Sequence, residues 1–145
     1  MTPATTPETL VLDASMAVAW CFEDETTALT EAVFDNLTSG AQAIAPALWP
    51  YEVANSLAVA ERRKRINLAG IEHFLERLAR FPISIDPGGP GRVFGHVLSI
   101  AREHDLSVYD AAYVELAVRS GLPLATLDRN LRAAAKATGV KVLST

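Results

Sequence analysis

Five short apolar runs separated by long helical patterns constrain this chain more than any other feature. The runs are residues 9–12, 43–45, 83–85, 124–126 and 140–143. Between them, apolar residues recur at helical spacing, as in Ala28, Leu29, Ala32, Val33 and Leu37, and again in Ile71, Phe74, Leu75, Leu78 and Ala79. Stop and start signals fall in the gaps. Ser39-Gly40, Gly121 and Gly139 end helical stretches, Asn67 and Ser107 sit where N-caps belong, and Pro50 suits the first turn of a helix over 49–65. Further helices are expected from about residue 15 and over 25–38, 92–104, 108–120 and 128–138. Strands without alternation are buried on both faces, which favours parallel pairing with helices on either side. The pattern predicts a three-layer α/β sandwich on a five-stranded, mostly parallel sheet flanked by helices. No internal boundary interrupts residues 1–145, read as a single domain behind a flexible Thr/Pro-rich tail at 1–7.

Composition narrows the chemistry. The lone Cys21 excludes an internal disulfide and a cysteine zinc site, and suits a reducing cytoplasm. His73, His96 and His104 match no paired-ligand spacing. The apolar run at 9–22 is interrupted by Asp13 and has no basic leader, so neither a signal peptide nor a membrane span is expected. Charge is segregated. Residues 1–60 hold eight acids and no Lys or Arg, whereas all 13 basic residues follow position 60. Familiar phosphate and hydrolase motifs are missing: there is no Gly-Lys dipeptide, no GxSxG and no HExxH.

Four acids stand where an open parallel sheet places its ligands, at strand C-termini and the helix starts that follow. Asp13 ends the first strand and Glu52 lies in the first turn of the 49–65 helix. Asp110 lies just inside the helix that Ser107 caps, and Asp128 opens the last helix. Each has an ordinary explanation alone. Asp13 and Asp128 can be N-caps, Ser107-Val-Tyr-Asp110 matches a capping box, and Glu52 opposes a helix dipole. Convergence would be different. Two carboxylates 4 Å apart repel by about 4 kcal/mol at an effective dielectric near 20, against a total domain stability of roughly 5–15 kcal/mol. A converged set calls for a divalent cation, and all-oxygen ligation points to Mg²⁺ or Mn²⁺. Asn55 shares a helix face with Glu52 and is placed to hold its carboxylate, while Ser15 and Thr126 each lie two residues from an acid.

Val11-Leu-Asp13-Ala-Ser15, Glu52-Val-Ala-Asn55, Ser107-Val-Tyr-Asp110-Ala-Ala-Tyr113 and Ala125-Thr-Leu-Asp128 resemble, in order and over nearly the whole chain, the PIN-domain nucleases, in particular the VapC-type toxins of toxin–antitoxin pairs. The resemblance implies a metal-dependent endoribonuclease with Asp13, Glu52, Asp110 and Asp128 as its catalytic and metal-binding acids. Ser15, Asn55 and Thr126 fall on the family's supporting polar positions. It further implies products with a 5′-phosphate and a 3′-hydroxyl, a small antitoxin as partner, and a homodimer. RNA approaching an acidic centre needs basic neighbours, and Arg129 and Arg132 beside Asp128 are the expected substrate contacts. The Arg62-Arg-Lys-Arg65 run is equally well explained as a solvated helix end, and Trp49, Tyr51 and Tyr109 are either core or base-stacking residues.

Two other classes compete. A receiver-like phosphoacceptor domain would use an acid after the third strand, here Asp86, but lacks an acidic pair at Asp13 and has Pro87 beside the acceptor. A non-catalytic RNA-binding or interaction module would keep the acids as caps only and would be indifferent to metal.

Overall fold

The computed structural model describes residues 8–144; the tail expected at 1–7 lies outside them. Four parallel strands form one sheet in the order β3-β2-β1-β4: β1 (Leu10–Leu12), β2 (Ala43–Ala45), β3 (Ile83–Ile85) and β4 (Leu124–Ala125). Seven α-helices connect and cover them. These are α1 (Ala14–Ala19), α2 (Ala28–Thr38), α3 (Trp49–Arg62), α4 (Leu68–Leu78), α5 (Leu98–His104), α6 (Val108–Ser120) and α7 (Arg129–Ala137). All three residues of β1 are buried, as the continuous apolar run requires of a strand covered on both faces. Leu12, Met16, Tyr113, Leu116, Leu124 and Leu131 belong to the main core between sheet and helices.

The fifth strand is not formed. Val142 makes only an isolated bridge to Leu124, with Leu124 N–H donating to Lys141 O and Leu143 N–H to Leu124 O. The reason is local. β4 is two residues long, and only Leu124 of it pairs with the 140–143 segment.

Helix boundaries shift for similar reasons. The 92–104 stretch is three pieces: a 3₁₀ turn at Pro90–Arg92, a π-helical turn at Val93–Val97, and α5. The start expected at 25 is a 3₁₀ turn (Glu23–Glu25), and α2 begins after Thr27, which forms a reciprocal capping box with Thr30. Helix α3 stops at Arg62 rather than 65, because Lys64 turns into the left-handed region and Arg65 folds back. Its guanidinium pairs with Asp24 and Glu25 and lies 4.2 Å over the Phe22 ring. At its other end α3 begins at Trp49 with Pro50 in the first turn, which puts Glu52 in that turn as expected.

The chain leaves β1 toward β2 on one side, whereas β4 pairs with β1 on the other. The sheet therefore has its topological switch point between β1 and β4, where open α/β sheets form ligand crevices.

Candidate active site

Asp13 follows β1 at that switch point and is buried. It stands at the N-cap position of α1 yet makes no side-chain cap bond. Instead its Oδ2 accepts two hydroxyl protons, from Ser15 Oγ at 2.7 Å and from Thr126 Oγ1 at 2.6 Å. Those hydroxyls in turn accept backbone N–H groups, Leu127 on Ser15 at 3.3 Å and Asp128 on Thr126 at 3.1 Å. A hydroxyl has one proton to give, so both are committed to Asp13. The capping explanation of Asp13 is thereby replaced by a network that ties β1 to the loop after β4.

Glu52, half-buried on α3, accepts from the buried Tyr113 hydroxyl at 2.6 Å. Burial raises its carboxyl above the usual range and the neighbouring Asp13 and Asp110 charges raise it further, against the lowering effect of the Tyr113 bond. Asp110 is raised in the same way by burial, then by Asp128 and Asp13. Like charges disfavour ionisation only when they are near. Asp13, Glu52, Asp110 and Asp128 therefore occupy one electrostatic neighbourhood, although they come from four separated segments. Asp110 N–H donates to Ser107 Oγ, so Ser107 caps α6. Asp128 has a second duty: its Oδ1 accepts Leu131 N–H and caps α7.

The other expected residues fall in different places. Asn55 is exposed on α3, and the hydrogen bond on Glu52 comes from Tyr113. Tyr113 was legible as part of the 107–113 motif, three residues after Asp110, but its hydroxyl gave no separate signal. Arg129 is exposed beside Asp128. Arg132 is half-buried, with Nη1 donating to the carbonyls of Thr126 at 3.2 Å and Leu143 at 3.0 Å, where it stitches the C-terminal segment to the site loop. Trp49 is core, whereas Tyr51 and Tyr109 are 79% and 66% exposed. The Arg62–Arg65 run lies at the opposite end of α3 from Glu52.

The PIN-domain family model matches residues 10–137. The chain belongs to the PIN-domain family. Ribonuclease VapC3 of Pyrobaculum aerophilum is 35% identical over 123 residues, 84% of this PIN domain's chain and 91% of the relative. Exonuclease VapC9 of the same organism is 37% identical over 87 residues, covering 59% and 62%. Among solved structures, PAE2754 from Pyrobaculum aerophilum superposes with a TM-score of 0.65 at 28% identity, over 92% of this chain and 88% of that one. FitAcB from Neisseria gonorrhoeae gives 0.63 at 19% identity, over 93% and 96%, a likeness of fold. Both support the three-layer arrangement of a parallel sheet flanked by helices.

The acids of this PIN domain supply only oxygen donors, the set preferred by Mg²⁺ and Mn²⁺. Asp13 Oδ1 and Glu52 Oε2 receive no hydrogen bond from the described residues, each carboxylate being held through its other oxygen. That donor chemistry fits a hard cation. Among the described residues, however, no group of three or more His, Cys, Asp or Glu side chains is arranged to hold a metal ion. The acids are neighbours in charge without being gathered into a cage.

The receiver-like reading loses its acceptor. Asp86 is buried and paired with Arg119, which also donates from Nε to Glu115 Oε1 at 2.8 Å. The strand order also differs, because β2 separates β1 from β3, where a receiver places β1 beside β3.

Proposed function

We propose that this PIN domain, residues 1–145 acting as a single unit, is a Mg²⁺- or Mn²⁺-dependent endoribonuclease. Its cellular role is that of the toxin in a type II toxin–antitoxin pair. The observation that carries the reading is that burial, and after it the charges of the neighbouring acids, raise the carboxyls of Glu52 and Asp110 and disfavour their ionised forms. Such mutual repulsion persists at a site whose work requires a cation. The name of the relative Ribonuclease VapC3 supports RNA as substrate.

Asp13, Glu52 and Asp110 would hold the cation, with Asp128 at the edge of the same field. A divalent ion there supplies charge stabilisation for the phosphoryl oxygens and lowers the pKa of water at neutral pH. The chain's own residues do the rest. Ser15 and Thr126 fix the Asp13 carboxylate so that Oδ1 faces away from both hydroxyl bonds. One acid of the set, Asp110 or Asp128, would take the proton of the attacking water. Arg129 meets the phosphate backbone. Arg132 contributes charge there while keeping the Thr126 loop in place.

A small antitoxin protein is the proposed partner, and the chain is proposed to work in the cytoplasm. Among the described residues no helix is long and apolar enough to cross a membrane. The homodimer is assigned to the apolar face beside the site. There Tyr51, Tyr109, Val93 and Val97 line a cleft of about 310 Å³, and Phe94 nearby is 94% exposed. Exposed apolar patches of this kind mark interaction surfaces.

Circular RNA tests the reaction class. An endonuclease linearises it in the presence of Mg²⁺ or Mn²⁺, leaving a 5′-phosphate and a 3′-hydroxyl. Digestion of linear RNA alone, with circles left intact, would make the enzyme an exonuclease, the activity in the name of the relative VapC9.

A further inference from the structure

We propose that Tyr113 is a positioning residue of the acidic centre, fixing the Glu52 side chain so that one oxygen is committed to the protein and the other is left for the cation. The inference rests on the nuclease reading and deepens it.

Three bonds or placements converge on this one side chain. Its hydroxyl donates to Glu52 Oε1 at 2.6 Å, joining α6 to α3 across 61 positions of sequence. The same oxygen accepts the N–H of Ala14 at 3.4 Å, the residue directly after Asp13. Tyr113 also lies three residues beyond Asp110, on the same face of α6. It thus contacts, or is placed by, three of the segments that carry the acids, while being 0% exposed itself.

Packing alone does not call for this hydroxyl. A phenylalanine would fill the same core space without the cost of burying a polar group. The oxygen is retained where it meets a carboxylate, and a bond to an ionised acceptor is among the stronger kind. Glu side chains are otherwise mobile, and fixing one costs side-chain entropy. A donor held rigidly in the core meets that cost before any ion arrives. With Oε1 occupied, Oε2 is the oxygen that receives no donor from the described residues. Because Tyr113 is fully buried, it cannot touch RNA. Its effect must run through Glu52.

The test is Tyr113→Phe, read in three ways. In the metal-free protein, NMR three-bond couplings report the Glu52 rotamer. Wild type should show one rotamer and the variant an average of several. Mn²⁺ affinity, measured from free Mn²⁺ by EPR, should fall about tenfold or more, the usual consequence of losing a partner of a metal ligand. In RNA cleavage, kcat should fall with KM unchanged. Unaveraged Glu52 couplings in the variant overturn the proposal whatever the metal does. So does a Mn²⁺ Kd within twofold of wild type when both proteins bind the ion. A wild-type protein that binds no Mn²⁺ and cleaves no RNA removes the nuclease reading instead, and the couplings then decide Tyr113 by themselves. If the variant does not fold, the wild-type hydroxyl proton decides. A resonance protected from exchange and close to Glu52 supports the bond, and a freely exchanging one refutes it.

Discussion

Thr126 Oγ1 donates to Asp13 Oδ2 at 2.6 Å, joining residues 113 positions apart at the point where β1 and β4 both end. This bond holds the first acid of the site, and it ties that acid to the loop directly after β4, the strand whose Leu124 makes the one bridge to the C-terminal segment. Thr126→Val keeps the shape and removes the bond, and it also leaves the Asp128 N–H without its acceptor. The expected loss is about 2 kcal/mol, a typical figure for a hydrogen bond to a charged group. A urea midpoint measures it. Thr126→Ser should recover most of the loss, whereas a Thr126→Val protein as stable as wild type, beside a destabilised Thr126→Ser, would mean that packing of the methyl group matters and the bond does not.

Asp110→Asn separates an acid of a charged cluster from a mere helix-start residue. Burial and the charges of Asp128 and Asp13 disfavour its ionised form, so the neutral variant should be more stable than wild type in chelator. Adding Mn²⁺ should reverse the order, because ligand binding stabilises only the protein that binds it, by about 2.7 kcal/mol at a hundredfold excess over Kd. Four denaturant midpoints settle the matter. A variant less stable in chelator, with both proteins indifferent to Mn²⁺, would return Asp110 to the role of a helix-start residue.

Opposite pH signatures are expected from two groups of acids. Glu52 and Asp110 have folded pKa values raised above their unfolded ones. The native state therefore keeps protons that the unfolded chain has lost, and metal-free stability falls as pH rises from the ordinary carboxylate range, about pH 4, through the folded values. Asp86 is lowered, chiefly by its hydrogen bonds from Arg119. Its contribution is present above the unfolded pKa and is lost as pH falls through the folded one. Denaturant midpoints against pH in chelator should show the high-pH decline flattened in a Glu52→Gln, Asp110→Asn double variant, while the acid-side loss stays. A decline identical in wild type and double variant would contradict the placement of these two acids.

The Asp86–Arg119–Glu115 group supports the fold away from the acidic centre. Both carboxylates are buried and Arg119 serves both, with Arg92 Nε at 3.8 Å from Glu115. Arg119→Ala would strand two buried charges, and breaking a buried pair in this way costs about 3–5 kcal/mol. Combining it with Asp86→Asn and Glu115→Gln should recover a large part of that loss in a thermal or urea melt. An Arg119→Ala protein within about 1 kcal/mol of wild type would place the pairs in the weak class of solvent-screened surface contacts.

Much of this arrangement was legible in the chain. The helix–strand alternation, the buried β1, the α3 start at Trp49 beside Pro50 and the Ser107 cap all follow from local patterns that tertiary contacts did not override. What escaped the sequence depended on long-range bonds. The 140–143 segment makes a single bridge to Leu124 in place of a strand, the helical end at 63–65 unwound because Arg65 finds Asp24, Glu25 and Phe22, and Glu52 is held by Tyr113 rather than by Asn55 at i+3. Spacing along a helix says which residues share a face. It does not say which neighbour from another helix arrives first. Arg132 carries the same lesson, since a basic residue expected to meet RNA spends its Nη1 donor on two backbone carbonyls.

The central claim is that Asp13 and its neighbours would hold a divalent cation on which hydrolysis of RNA by this PIN domain depends. Single-turnover cleavage of a labelled RNA tests it most directly, with wild type and Asp13→Asn each measured in chelator and across a Mn²⁺ or Mg²⁺ titration. The account predicts no cleavage in chelator, a rate that rises and saturates with metal for wild type, and a rate at least about 100-fold lower for Asp13→Asn at every metal concentration. Wild-type cleavage at full rate in chelator, or Asp13→Asn as active as wild type, would contradict it.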